Sequence, residues 1–287
     1  MPSSVKEIAN AQKNLETAKQ LQAQGSLDEA IKKYQVALRL TPDNVQALSQ
    51  LAKTYEAQKN WQEVVSCCNK TLAIQPNSAA TYVQLGKALK QQNKLLGAVA
   101  AFKEAMAINP KALKAKDYKL FGDMLTQLQA AESRETQNQE LLAAYKKALE
   151  LKPSASVYIS LADALQKQKQ YPEAIASYQK ALELNPNAGK KLYVKLGNAQ
   201  LQQDRVDEAI ASYQKAIELN LNSVSVYRNL GNAFQQKSLF TEAIDCYQKA
   251  LALKPDAPGL YRSIGDLLTK QGRTEEATKY YKKAESM

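Results

Sequence analysis

Histidine is absent from this chain, tryptophan occurs once, and cysteine only three times in 287 residues. Without histidine the chain lacks the usual general base near neutral pH and the commonest metal ligand. Cys67 and Cys68 are adjacent and Cys246 is remote in sequence, which fits neither a zinc site nor a disulfide framework. Such an odd, unpatterned set points to a reducing compartment and a cytoplasmic location. The longest apolar run, 95–102, is far too short to span a bilayer. The opening MPSSVKEIAN lacks the apolar core of a signal peptide. Glycine is scarce, and no glycine-rich loop that could cradle a phosphate is present. Carboxylates such as Asp207-Glu208 and Glu275-Glu276 stand among lysines at helix starts, where the helix dipole favours them. The expectation is a chain with no catalytic residue, no metal and no cofactor, and not an enzyme by itself.

What the chain does contain is repetition. The stretch 224–257, VSVYRNLGNAFQQKSLFTEAIDCYQKALALKPDA, reads as two short amphipathic helices joined by a turn. Tyr227, Leu230, Gly231 and Phe234 share one helical face, and Ala243, Tyr247 and Ala250 share a face of the second helix. Pro255 then stands where a helix must stop. Neither helix can bury its apolar face alone, so copies are required on either side. They are present. The alanine before the closing turn recurs as Ala37, Thr71, Ala105, Ala148, Ala181, Ala216, Ala250 and Ala284, at intervals of 34, 34, 43, 33, 35, 34 and 34 residues. The second-helix aromatic position reads Tyr34, Cys68, Phe102, Tyr145, Tyr178, Tyr213, Tyr247 and Tyr280. The small residue of the first helix reads Ala18, Ala52, Gly86, Gly122, Ala162, Gly197, Gly231 and Gly265. The closing position is proline at Pro42, Pro76, Pro110, Pro153, Pro186 and Pro255, with Leu221 the one departure.

This pattern resembles the tetratricopeptide repeat, a helix-turn-helix of 34 residues. The resemblance covers roughly residues 11–287 and implies an all-α, right-handed α-solenoid of about eight antiparallel helix pairs. The expected repeats are 11–44, 45–78, 79–112, 115–154, 155–188, 190–223, 224–257 and 258–287, forming one solenoid over residues 1–287. Ser3 or Ser4 is placed to cap a first helix beginning near Val5. Repeat four carries nine extra residues, two before its first helix and seven near 130–139, enough for each helix to grow by about one turn. In repeat two Cys68 is read as a small core filler, with Trp61 packing nearby to compensate. No polar capping helix precedes the end at Met287, which points to a fragment of a longer protein or to a homodimer covering the uncapped end.

The family resemblance implies that function lies in a concave groove lined by the first helices. Groove positions would be Leu15, Ser49, Val83, Lys119, Ile159, Val194, Arg228 and Arg262 in one series. In the other they would be Lys19, Lys53, Lys87, Asp123, Asp163, Asn198, Asn232 and Asp266. Lys19, Lys53 and Lys87 form a lysine ladder suited to an acidic or phosphorylated segment. Arg228, Asn229 and Asn232, with Asn198 and Arg262, form a hydrogen-bonding cluster. The string Asn229-Leu230-Gly231-Asn232 is similar to the asparagine ladder of protein O-GlcNAc transferase solenoids, which grips peptide backbone. The two-carboxylate clamp of chaperone co-factors is not reproduced, because Leu15, Ser49 and Val83 occupy clamp positions and Asp266 would repel a carboxylate beside Arg262. The net charge of +11 is spread along the chain, and the groove positions lack aromatics for base stacking, so nucleic acid is not the expected partner. Two readings follow: a stand-alone interaction scaffold holding an extended partner segment, or the substrate-recognition module of a larger glycosyltransferase or methyltransferase.

Overall fold

The computed structural model describes residues 5–129, 135–186 and 189–287. Among them are sixteen α-helices and no strand, and the chain divides into two compact units, 1–151 and 152–287. In the first unit α1 (Val5–Ala23) pairs with α2 (Leu27–Leu40), and α3 (Val45–Ala57) with α4 (Trp61–Ile74). There α5 (Ala79–Gln91) pairs with α6 (Leu95–Ile108), and α7 (Ala115–Gln129) with α8 (Glu135–Leu151). In the second unit α9 (Ala155–Lys167) pairs with α10 (Tyr171–Leu184), and α11 (Lys190–Gln202) with α12 (Val206–Glu218). The pairs α13 (Val224–Gln236) with α14 (Phe240–Leu253) and α15 (Pro258–Lys270) with α16 (Thr274–Glu285) complete it. Within each unit a second helix also packs against the first helix of the next pair, so each unit is a four-pair α-solenoid. The Ser3 and Ser4 capping sites lie outside the described residues.

Close approach within a pair depends on the missing side chain of the small residue. A Cβ built on Gly231 would lie 2.5 Å from Tyr247 Cε1, and one on Gly197 would lie 2.7 Å from Tyr213 Cε1. The rings of Tyr34, Tyr145, Tyr178, Tyr213, Tyr247 and Phe102 are fully buried and fill the interior of their pairs. In the last pair the expected ring was Tyr280. The ring over Gly265 is instead Tyr281, whose Cε1 would stand 2.6 Å from an added Cβ. Tyr280 is one residue too early on α16, and a step of about 100° turns it outward against Tyr261. Cys67 and Cys68 lie inside the first unit's core, and Trp61 packs half-buried against the same cluster.

The turns between paired helices share one geometry. Gly25, Lys59, Asn93, Lys169, Asp204, Ser238 and Gly272 each sit at positive φ, between 57° and 82°, two residues after their first helix ends. Five of the seven carry a side chain in a conformation that glycine tolerates best. Neighbouring pairs are tied at a spacing of 30 residues by Gln58 to Asp28, Gln92 to Gln62, Lys237 to Asp207 and Gln271 to Thr241.

Departures from the regular repeat have local explanations. Helix α12 ends through Asn220 at φ 61°, and the Leu221 N–H donates to the Ala216 carbonyl at 3.0 Å. Proline has no N–H to give, so leucine stands where the other repeats have proline. Ahead of α7, the two extra residues follow a 3-10 turn at Pro110–Ala112: Leu113 is buried, and the Lys114 N–H donates to Asp117 Oδ2 at 2.9 Å. Helices α7 and α8 run 15 and 17 residues, against 12 to 14 in α2 to α6 and α9 to α16. Of the expected insertion, 135–139 open α8 and 130–134 lie outside the described residues.

Candidate partner-binding faces

In the second unit the first helices present a row of acceptors, each held by a tyrosine of its own pair. Tyr178 Oη donates to Asp163 Oδ1 at 2.6 Å, and Tyr213 Oη to Asn198 Oδ1 at 2.8 Å. Tyr247 Oη lies 2.7 Å from Asn232 Oδ1, and Tyr281 Oη lies 2.8 Å from Asp266 Oδ1. Each pair is separated by 15 residues. The buried ring thus ends in a hydroxyl that surfaces beneath the first-helix face and fixes the side chain there. Burial holds the Tyr178 and Tyr213 hydroxyls well above their ordinary range and Tyr247 at about 12, so all three are protonated donors at neutral pH.

The sequence-selected residues of this unit meet as follows. Asn229 Nδ2 donates to Asn198 Oδ1 at 2.9 Å, linking adjacent first helices. Asn232, Arg228 and Arg262 are exposed. With their oxygens taken, Asn198 and Asn232 retain amide N–H groups with no acceptor among the described residues. Lys195 pairs with Asp163 at 2.5 Å, a contact that sequence reading missed.

In the first unit the three lysines are not equivalent. Lys19 pairs with Glu16 at 2.8 Å on its own helix. Lys87 reaches Asp117 at 2.7 Å, and that carboxylate is only 2 % exposed. Lys53 is exposed with no ion-pair partner among the described residues. Leu15 has no exposed surface and Val83 is buried, so these two series positions contribute to packing rather than to an open face. Tyr145 Oη donates to Asp123, which also pairs with Lys119.

Grooves open on the opposite side as well, between successive second helices and floored by a first helix. One of about 710 Å³ lies among α12, α13 and α14, a second of about 410 Å³ among α2, α3 and α4, and a third of about 400 Å³ among α14, α15 and α16. Cys246 lines the first and Cys67 the second, at the same register position. Burial pushes both thiols up to about 11, which keeps them protonated and unreactive. Among the described residues no group of three or more cysteine and carboxylate side chains could hold a metal ion, and no helix is long and apolar enough to cross a membrane.

Tetratricopeptide-repeat models match residues 18–59 and 197–238, 79–112, 155–188 and 222–287, together more than half of the chain. The chain belongs to the tetratricopeptide-repeat family. No protein of curated description matches it. Solved tetratricopeptide structures do. The MamA protein is 28 % identical over 59 % of this chain and 89 % of its own, with a TM-score of 0.54. The C-terminal part of a repeat protein from Cytophaga hutchinsonii shares the fold at 18 % identity, covering 82 % of this chain and 93 % of that one, with a TM-score of 0.64. YrrB, described as a tetratricopeptide protein with an unusual peptide-binding site, shares it at 23 % identity over 65 % and 91 %, with a TM-score of 0.54. In this tetratricopeptide frame the tyrosine-anchored row is a property of the paired positions. Asp or Asn follows the small residue in repeats four to eight, where the second helix brings a tyrosine. Lys stands there in repeats one to three, opposite Tyr34, Cys68 and Phe102, and Tyr34 Oη donates to Gln22 instead.

Proposed function

We propose that this tetratricopeptide protein is a protein–protein interaction scaffold whose first-helix faces take an extended peptide or partner segment. The observation that carries this reading is the anchoring of Asn198 and Asn232 by Tyr213 and Tyr247. An asparagine whose oxygen is already bonded offers its N–H groups to a guest, and a peptide backbone supplies carbonyls at regular spacing. This is the role that the likeness to the O-GlcNAc transferase ladder implies, and the peptide-binding description of YrrB is consistent with it. Arg228 and Arg262 beside that row, and Lys53 in the first unit, favour acidic side chains on the guest, while Lys19 and Lys87 would have to exchange Glu16 and Asp117 for the guest's carboxylates. Three free, buried cysteines suit a reducing compartment, and a cytoplasmic location belongs to the same reading.

Affinity capture from the native host's lysate tests it. Wild type is compared with a Lys19→Glu, Lys53→Glu, Lys87→Glu variant and an Arg228→Ala, Asn232→Ala variant. A partner lost with either variant is the expected result, and the variant that loses it names the unit that binds. A partner retained by both overturns the reading.

A further inference from the structure

The three grooves between second helices occupy the same register, yet one differs in size, bridging and charge. In the groove of α2, α3 and α4, Gln35 Nε2 donates across to Tyr55 Oη at 3.1 Å. In that of α14, α15 and α16, Gln248 Nε2 donates to Tyr280 Oη at 3.0 Å. The equivalent glutamine between α12 and α14 is Gln214, and it faces Phe234 where Tyr55 stands and Cys246 where Tyr280 stands. Neither offers a hydroxyl. No hydrogen bond crosses this groove among the described residues, and it is wider by about 300 Å³ than either bridged one.

Its floor is apolar, made by Ile217, Tyr227, Leu230 and Phe234. Among the residues that line it, the rim carries Glu218, Glu242 and Asp245 against Lys249. Glu218 pairs with Lys215 and Asp245 with Lys249, which leaves exposed Glu242 with no ion-pair partner among the described residues. The bridged grooves have the opposite sign, with Arg39 and Lys70 against Glu63 in one and Lys279 with Lys283 in the other. In a chain of net charge +11 this is a local acidic rim around an unbridged apolar cleft.

We infer that the groove among α12, α13 and α14 is a second docking site, for a protein segment that buries one large apolar side chain flanked by lysine or arginine. The apolar floor takes the anchor, unpaired Glu242 takes one flanking cation, and Asp245 takes the other in place of exposed Lys249. This site is on the other side of the helix pairs from the first-helix face and is independent of the reading proposed for that face.

The test uses the full chain and short labelled Gly-Ser peptides carrying Lys-Phe-Lys, Glu-Phe-Glu or Lys-Ala-Lys, read by fluorescence anisotropy. Lys-Phe-Lys should bind at least about tenfold more tightly than either control. The Glu242→Lys, Asp245→Lys variant should reverse the preference toward Glu-Phe-Glu, while Arg228→Ala, Asn232→Ala leaves it unchanged. No binding of Lys-Phe-Lys up to about 1 mM overturns the inference, as does binding indifferent to the charge reversal. Binding lost only with Arg228→Ala, Asn232→Ala overturns it too, and supports the first-helix face instead.

Discussion

At Gly231 the missing side chain is a packing requirement, because Tyr247 fills the space that a Cβ would enter. Replacing Gly231 by leucine should cost roughly 1–3 kcal/mol through overpacking, read as a lower urea midpoint with an unchanged denaturant slope. The buried hydroxyls and thiols also set a pH limit. An unfolded tyrosine ionises near 10 and Tyr247 in the fold at about 12, while the thiols move from about 9 to between 11 and 12. The unfolded chain therefore loses these protons first, and binding fewer protons when unfolded means stability falls as pH rises. The urea midpoint should hold steady from pH 7 to about 8, begin to fall near 9 as the unfolded thiols ionise, and decline more steeply between about 10 and 12 as tyrosine joins them. The glycine-to-ring pairing was legible because both residues recur at one spacing. Tyr281 was legible by the same spacing, since it stands three residues before Ala284 as Tyr247 does before Ala250, and the expectation of Tyr280 broke that spacing by one residue. The tyrosine anchors had a partial sign, Asp or Asn at the position in all of repeats four to eight, but a ring hydroxyl alone does not dictate it, since Lys19 stands opposite Tyr34, which bonds Gln22.

Among the elements, the turns and helix ends carry the testable detail. Lys59 and Lys169 adopt positive φ at the place where Gly25 and Gly272 stand in other repeats. Lys59→Gly and Lys169→Gly should each raise stability by about 0.5–1 kcal/mol, as the left-handed strain outweighs the entropy glycine adds to the unfolded chain. Leu221 gives the opposite lesson. The pattern of the other repeats argues for proline there, but its N–H closes α12 on the Ala216 carbonyl. Leu221→Pro should lower stability by roughly 1–3 kcal/mol in thermal melts, since a buried carbonyl loses its donor. Helix positions were readable to within a few residues from apolar spacing and prolines. The ties between neighbouring pairs, such as Gln58 to Asp28, were not, because glutamine and aspartate on an exposed surface look like ordinary solvation.

For the molecule as a whole, each helix pair contacts mainly its neighbours within its unit, so damage should stay local. In the Gly231→Leu protein, amide hydrogen exchange should accelerate in α13 and α14 and remain unchanged in α1 to α6. Uniform loss of protection along the chain would contradict nearest-neighbour stability. The solenoid class was legible at this scale because eight copies average out individual departures. The sign of the second-helix grooves was not, since it depends on which side chains from three helices meet at one rim. Trp61 adds a final consequence. The chain's single indole packs half-buried against the core of the first unit, so the molecule is optically lopsided: emission excited selectively at tryptophan watches one half while ellipticity counts every helix. A melt followed by both signals reads cooperativity without a label. Superimposed curves mean the two units melt together, and an offset of the emission curve times the first unit against the second.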